Sequence, residues 1–455
     1  MRYTYFNILL LLCFSLNASF SFGQQLTAHP LTSYGIGDHQ LNDHGIYSGM
    51  GNIFAPFLDS GQLNYLNPAS YASLSKGNTL FSIGVNQRIS FFRQNETADT
   101  RPTGNLNHLA LGFRIKKHFG MAMGLKPLSA KGYYLSEKIF TGIDSIRNIY
   151  KGSGYINQVF LGGTYAPLVR KGTYLAFGSH LGYNFGTVKN QRISQLIQGT
   201  SAAGGIMEEL ISVNALSYEA GFSFYQKLGD KSDLRLGTTY KPTLSLNSVL
   251  EQSFYNSSNL NVPSGYDTLF SDSYQGSVIQ GSSLVIGIAY RNGLNPRKIK
   301  TRTLHPELTL ALQYQRNELF SYRFEGYSYT SFGSQSQPSQ RYSVGIEYKP
   351  ERFLYENIAN LKLFDKFTYR LGAYYGILPY ADPANYPFIE QGLTVGLGIP
   401  VLAQQSFSSI NFSCTIGQRG TFETSSLQEN FIAIQLGAIL SPARFERWFR
   451  KRKMD

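Results

Sequence analysis

The residues of this sequence that could carry chemistry fall into short patterns of serine, histidine and acidic side chains. Ser73 and Lys76 have the spacing of an SxxK pair, and His39 and His44 each follow an aspartate. SxxK enzymes carry further partner motifs, and a metal site needs several converging ligands. No HExxH, GxSxG or P-loop motif occurs in the chain. The sequence therefore predicts no catalytic residues, no metal site, no cofactor and no enzymatic activity.

The C-terminal tail has a different chemical character, because it mixes cations with aromatic rings. The residues that we expect to contact lipid or a partner are Arg444, Arg447, Trp448, Phe449, Arg450, Lys451, Arg452 and Lys453. At a membrane surface the rings can lie at the interface while the cations meet headgroups or an acidic protein. A solvated, disordered end is the alternative.

The net charge of +13 does not indicate a nucleic-acid partner. Most of the basic residues lie in predicted turns and in the tail, without the interleaved stacking aromatics of a single-strand binding surface. The start of the chain also indicates export. Arg2, an apolar run from Ile8 to Phe14 and the small residues Ser21 and Gly23 are typical of a signal peptide, which we assign to residues 1–23.

Alternating apolar residues recur along most of the chain, which is the pattern of strands with one apolar face. Together with weaker segments they give about fourteen strands, an even number as bacterial barrels require. The clearest series begin with Leu109, Phe119, Leu284, Leu308, Tyr342, Leu393, Ile410 and Ile432. No apolar run after the signal approaches the roughly 18 residues of a membrane helix. The sequence predicts an all-β, transmembrane antiparallel β-barrel of the outer membrane, at residues 77–441.

The predicted connections alternate between short turns and long polar loops, as in outer-membrane barrels. We expect long loops at Ser129–Gly154, Thr187–Asn214 and Asn247–Ile279. Residues 24–76 do not alternate, and many inward strand positions are Gly, Ser or Ala, which leaves room inside a barrel. We therefore expect residues 24–76 to form an N-terminal luminal hatch, and residues 442–455 to form a periplasmic tail.

Two features resemble a known family. Asn67-Pro68-Ala69 lies just before the first strand, and Pro127 lies at the end of the third strand, where proline marks an edge or a break. The tripeptide, its position and the strand count resemble the FadL-like family of long-chain fatty-acid transporters, whose hatch carries an Asn-Pro-Ala signature. The resemblance implies that hydrophobic molecules pass the hatch and leave through an opening in the wall near the third strand, with Pro127 as its candidate residue.

A narrower resemblance concerns bacteria with type IX secretion. Tyr34-Gly35-Ile36-Gly37-Asp38, the Asn-Pro-Ala segment, Gly417-Gln418-Arg419-Gly420-Thr421 and the basic aromatic tail look like a branch that includes the plug subunit of the type IX translocon. This branch implies a barrel that binds a large translocon barrel and conducts nothing. The residues leave both roles open: transport of a hydrophobic ligand, or a plug-like subunit. Outer-membrane lipid is an expected partner of either.

Overall fold

The computed structural model of the chain describes most of the predicted barrel. The described residues are 27–33, 35–39, 45–140, 142, 144–197, 203–260, 266–299, 302–318, 321–326, 337–352, 361–381, 386–401, 408–421 and 427–441. The predicted signal peptide (1–23) and tail (442–455), including all eight of its candidate contact residues, lie outside these residues.

Fourteen antiparallel strands form the wall, four of them interrupted by a short break. They are β1 (Thr79–Gln94), β2 (Thr97–Lys116), β3 (Phe119–Ala130 and Tyr133–Phe140), β4 (Ser145–Arg170), β5 (Thr173–Ile197), β6 (Gly204–Lys227), β7 (Ser232–Lys241 and Leu244–Ser257), β8 (Asp267–Gln280 and Ser283–Gly293), β9 (Glu307–Asn317 and Ser321–Phe324), β10 (Ser339–Lys349), β11 (Thr368–Ala381), β12 (Pro387–Pro400), β13 (Ser409–Gly420) and β14 (Gln428–Leu440). Pairing of β14 with β1 closes the sheet, from Phe81 opposite Leu440 to Arg93 opposite Gln428. The predicted fourteen-stranded barrel is confirmed.

The remaining elements are short. Among the described residues they are a two-residue strand (Asp38–His39), a hairpin in the connection between β8 and β9 (Arg297–Ile299 with Arg302–Leu304), one α-helical turn (Gly45–Ser48) and three 3-10 helices (Pro30–Ser33, Pro68–Ser73 and Leu363–Lys366). In the part of the chain that the structure describes, no helix has the length and apolar character needed to cross a membrane.

The two faces of the wall follow the alternation in the sequence. Successive side chains of a strand point to opposite faces, so one apolar series can face lipid while its neighbours face the lumen. Leu161, Leu216, Leu312 and Leu393 are large apolar side chains that are about half exposed or more on the outer face. Backbone groups bond across the closed sheet, which satisfies them where no water is present.

At one end of the barrel two of the connections are two-residue turns, and we assign this end to the periplasmic side as in other outer-membrane barrels. The connections 294–306 and 350–367, at the same end, are longer. β2 and β3 are joined there by Lys117–His118, and β4 and β5 by Lys171–Gly172. The first strand begins and the last strand ends at this same end, as the even strand count requires. The barrel is an outer-membrane barrel with its long hairpins on the outer side.

The three long loops predicted from the sequence are wrong in extent. β3 continues to Phe140 and β4 already begins at Ser145. In the same way β5 ends at Ile197 and β6 begins at Gly204, and β7 ends at Ser257 and β8 begins at Asp267. These extensions mix polar and apolar side chains on both faces, so they lack the regular apolar alternation by which strands are recognised. Their cross-strand hydrogen bonds do not depend on that alternation, and the sheet therefore continues beyond the lipid-facing band.

Residues 45–76, here called the inner segment, are enclosed by the wall. The helical turn at Gly45–Ser48 contacts β12, β13 and β14, whereas the 3-10 helix Pro68–Ser73 contacts strands β2 to β6 on the other side. Tyr47, Tyr65 and Tyr71 are almost completely buried. They belong to the largest apolar cluster among the described residues, which joins the inner segment to inward side chains of the wall.

Candidate functional site

Asn67 organises the Asn-Pro-Ala turn of the inner segment. Its Oδ1 accepts a hydrogen bond from the backbone N–H of Ala69 at 3.0 Å, which caps the helix Pro68–Ser73. Its Nδ2 donates to the carbonyl of Ala55 at 2.8 Å and to Ser223 Oγ on β6 at 3.1 Å. Proline in the first helical position loses no needed donor. One fully buried side chain therefore ties the helix, the rest of the inner segment and the wall together.

Side chains of the wall form hydrogen bonds with the backbone of this helix. The Thr164 hydroxyl donates to the carbonyl of Pro68 and accepts from the N–H of Tyr71 at 3.2 Å. The Tyr174 hydroxyl donates to the carbonyl of Ala69 at 3.2 Å. Because these bonds use main-chain atoms, they fix the position of the turn rather than the identity of its side chains.

Glycines bring the wall into contact with the inner segment at several places round the barrel. A Cβ added to Gly178 on β5 would lie 2.6 Å from the backbone nitrogen of Ala69. On the opposite side, a Cβ on Gly396 would lie 2.8 Å from the Cα of Gly49, and one on Gly287 2.6 Å from Pro56 Cδ. The inner segment thus occupies the volume that inward glycines leave.

Side-chain hydrogen bonds complete this contact on the β9 and β12 side. Gln313 Oε1 on β9 accepts from the backbone N–H groups of Phe54 and Ala55, each at 3.0 Å. Thr394 Oγ1 on β12 accepts from Gly51 N at 2.8 Å. Polar inward residues of distant strands therefore satisfy the buried backbone of the inner segment.

A buried polar cluster lies between the same helix and the wall. His180 on β5 faces the Tyr71 hydroxyl with Nε2 and Glu219 Oε2 on β6 with Nδ1, at 3.4 Å. Lys126 Nζ on β3 lies 3.8 Å from the same Glu219 oxygen, and Lys241 Nζ on β7 lies 3.6 Å from it. Lys126 precedes Pro127, so this cluster connects the Asn-Pro-Ala helix with the candidate opening.

The wall is interrupted between β2 and β3. Their ladder runs from Lys116 opposite Phe119 only as far as Leu109 opposite Leu125. In the described residues beyond that point, β2 pairs with β1 and β3 pairs with β4. Pro127 lies just past the end of the ladder, next to a bulge between Pro127 and Ser129. Proline has no backbone N–H to donate, which fits an edge at this position.

The interruption opens outward as a cleft of about 560 Å³ between the two strands. Asp99 and Arg101 border it on β2, and Tyr134 and Ser136 border it on β3. The Arg101 guanidinium lies 5.8 Å from the Tyr134 ring centroid, across the cleft. Lower down, the two-residue strand Asp38–His39 pairs with Ala130 and Ser129, so a piece of the N-terminal region covers the free edge of β3.

An apolar patch lies on the inner face of the wall beside this interruption. It runs from β3 to β9 and consists of Leu128, Ile156, Val188, Ile211, Val213, Ala215, Leu246, Leu250, Val278 and Phe324. Ile36, which is fully buried, packs into it from the N-terminal region. Among the described N-terminal residues, Ile36 is the side chain that packs into this patch, and it lies on the stretch that also pairs with β3.

One ion pair and one histidine–carboxylate contact hold the same N-terminal stretch on the far side of the lumen. Asp38 Oδ2 lies 3.1 Å from Arg419 NH1 on β13, and His29 Nε2 lies 3.3 Å from Glu429 Oε2 on β14. His29 Nδ1 accepts a hydrogen bond from the backbone N–H of Leu31 at 3.0 Å, so the neutral ring fits this site. Burial, together with the charges of Arg419 and Arg88, lowers the pKa of His29 well below its usual value.

The structure brings together two of the features singled out in the sequence. Asn67, Pro68 and Ala69 lie against β4, β5 and β6, and the polar cluster links them to Lys126 beside Pro127. Sequence reasoning missed the apolar luminal patch and the role of Ile36. Period-two alternation marks two faces of each strand, but above the lipid-facing band both the inner and the outer face can be apolar.

The fold is that of a FadL-like outer-membrane barrel. Among solved structures, the toluene transporter TodX of Pseudomonas putida matches with a TM-score of 0.56 and 16% identity, over 90% of this chain and 100% of that one. The monoaromatic hydrocarbon channel CymD matches with 0.54 and 15%, over 90% and 100%. A FadL homologue of Pseudomonas aeruginosa matches with 0.51 and 12%, over 87% and 96%.

The chain belongs to the BamG family, whose family model matches residues 6–455. No curated protein sequence matches it. The structural likenesses, at such low identity, establish the fold.

Proposed function

We propose that this protein passes small hydrophobic molecules across the outer leaflet, past the N-terminal hatch and out through the interruption between β2 and β3. The observation that supports this proposal is the apolar patch from β3 to β9, which lies directly beside the point where the pairing of β2 with β3 ends. Apolar binding sites inside a barrel bury a ligand that water would not dissolve. TodX and CymD are described as a toluene transporter and a monoaromatic hydrocarbon channel, which supports a small hydrophobic ligand.

In this proposal the ligand takes the place of Ile36. Displacing Ile36 uncovers the patch, and it also pulls on Asp38 and His39, which cover the edge of β3. Release of that two-residue strand then joins the lumen with the cleft above Pro127. Asn67, Pro68 and Ala69 anchor the rest of the hatch, so the N-terminal stretch moves while the inner segment stays.

A disulfide across the two-residue strand tests this route. Asp38 and Ala130 are register partners, and opposed Cα atoms of an antiparallel pair lie about 4.5–5.5 Å apart, within the range of a disulfide. We expect D38C/A130C in a Cys414→Ser background to lose uptake of toluene and of a long-chain fatty acid into liposomes when oxidised. Reduction should restore it, because the N-terminal strand is then free to leave β3.

The matched control is T415C/A433C in the same background, since these residues are partners in the unbroken β13–β14 ladder. Oxidation of the control should leave uptake unchanged. Uptake by the oxidised D38C/A130C protein at the wild-type rate would exclude this route. Absence of uptake by the wild type, with a very large barrel co-purifying under mild detergent, would favour the alternative of a plug-like subunit of the type IX translocon.

A further inference from the structure

The outer surface of the barrel carries a trough across β3, β4 and β5, close to the periplasmic end. Its volume is about 880 Å³, and Met121, Gly163 and Ser179 lie in its floor. These three residues are register neighbours on adjacent strands. A Cβ added to Gly163 would have no atom within 4 Å. The small residues Gly163 and Ser179, between larger neighbours on the same strands, therefore create the trough.

Large apolar residues form both banks of the trough. The row on its periplasmic side consists of Phe119, Tyr165 and Phe177, and the row on the other side consists of Met123, Leu161 and Leu181. All six are exposed on the outer face, between 45% and 57%. A long, narrow, apolar depression between two such rows has the shape of an extended hydrocarbon chain rather than of a folded domain.

Directly behind the trough, the wall is reduced to its backbone. Gly120, Gly162 and Gly178 border the trough, and their inner sides face the 3-10 helix Pro68–Ser73. A Cβ on Gly162 would lie 2.9 Å from Tyr71 Cε2, and one on Gly178 2.6 Å from Ala69 N. The trough and the Asn-Pro-Ala turn thus lie back to back, separated by one layer of main chain.

The positive charges at the periplasmic end of the trough indicate that its ligand has an anionic headgroup. Lys116 borders the trough, and Lys117, Arg170 and Lys171 lie on the two adjacent turns, all four with exposed side chains. The turn residues 116–118 and 170–172 include no acidic side chain. Cations at the level of headgroups attract anionic phospholipids, each contributing on the order of 1 kcal/mol.

We propose that this trough is a specific site for one anionic phospholipid of the periplasmic leaflet. One acyl chain lies over Gly163 and Ser179 between the two apolar rows, and the headgroup phosphate lies against Lys116 and Lys117. The bound chain supports from outside the thin glycine wall against which the Asn-Pro-Ala turn packs.

Retention of phosphatidylglycerol by the purified protein tests the site. The wild type, reconstituted in phosphatidylglycerol nanodiscs and then extracted in mild detergent, should keep phosphatidylglycerol in native mass spectra. Gly163→Leu places a side chain in the trough at a position where its Cβ has open space, and should lower retention about threefold to tenfold, because chain packing in a bilayer gains only van der Waals contact. K116Q/K117Q should lower retention of phosphatidylglycerol while leaving that of phosphatidylcholine unchanged.

The control is Ala438→Leu, which enlarges an outward position on β14 between Ile83 and Ile410 without a trough. It should retain lipid as the wild type does, and all variants should show the same heat-modifiable band on gels. Equal retention by the wild type and Gly163→Leu would overturn the proposal. It would also be overturned if Gly163→Leu left lipid retention intact but lost a co-purifying protein, since the trough would then be a protein contact.

Discussion

The lower and upper halves of the lumen are closed in different ways. Below, the inner segment is packed backbone to backbone against wall glycines and fixed by fully buried hydrogen bonds such as those of Asn67. Above, residues 27–33 and 35–39 are held by the Asp38–Arg419 ion pair, the contact of His29 with Glu429 and a two-residue strand beside a broken ladder. Buried Ile36 and the hydrogen bonds that Thr32 and Ser129 donate add to this hold. Buried main-chain contacts are costly to lose, and in the described residues the upper stretch has fewer of them and depends in part on a titratable side chain. The upper closure is therefore the part of the lumen suited to open.

The largest effect is expected when a wall glycine that packs against the inner segment, the lower closure of the lumen, is replaced by a larger residue. Gly178→Leu should destabilise the barrel by about 3 kcal/mol, because its side chain meets main-chain atoms of Pro68 and Ala69 that cannot rotate away. Urea unfolding in lipid vesicles measures the loss, and small-solute permeability should rise as the inner segment is displaced. Ala438→Leu, which enlarges an outward position on β14, should change neither quantity. Equal effects of the two variants would show that the inner contact does not matter.

A smaller effect is expected at Asn67. Asn67→Ala removes the helix cap and leaves buried partners unsatisfied, which should cost about 2 kcal/mol. Asn67→Asp keeps an oxygen for Ala69 N but loses the donor to Ala55 and Ser223, so it should lie between alanine and the wild type in urea unfolding. An Asp variant as destabilised as the Ala variant would assign the whole effect to the lost amide donor.

The docking of residues 27–33 and 35–39, the upper closure of the lumen, should depend on pH. The pKa of His29 is lowered in the folded protein, so the docked stretch binds a proton less readily than the released one. Its docking is then complete above the ordinary histidine pKa of about 6.5 and weakens as the pH falls below it. Ile36→Cys in a Cys414→Ser background should become more reactive towards a thiol reagent, relative to a free thiol at the same pH, as the solution is acidified. Adding His29→Gln should remove this pH dependence, and persistence of the dependence would implicate another group.

The smallest effect is expected from the tail. Replacement of Arg444, Arg447, Arg450, Lys451, Arg452 and Lys453 by glutamine should leave both closures and the heat-modifiable band intact, because the last strand ends at Leu440. Lipid or partner retention should fall to the level seen for the wild type at high salt, since surface attraction is screened. Full retention at low salt would mean a merely solvated tail, and failure to fold would mean that the tail contributes to barrel assembly.

The sequence by itself determined the class of fold. Alternation in series such as Leu393–Ile399 and Ile410–Ile416 identified the membrane strands. The predicted even number of strands agrees with the structure, in which the first strand begins and the last strand ends on the same side of the membrane. Alternation works there because lipid on one face demands apolar side chains at every second position. It fails for Ser145–Tyr150 and Asp267–Ser273, where water lies outside the wall and hydrogen bonding alone maintains the strand.

Only the tertiary structure showed which residues lie together in the site. Pro127 and Asn67-Pro68-Ala69 were visible in the sequence, but their connection depends on Lys126, Glu219 and His180, which closure of the sheet brings together from three strands. The end of the β2–β3 ladder at Leu109, the apolar patch under Ile36 and the glycines behind the Asn-Pro-Ala turn likewise depend on register. Register is a relation between strands far apart in the chain, and no local pattern of residues carries it.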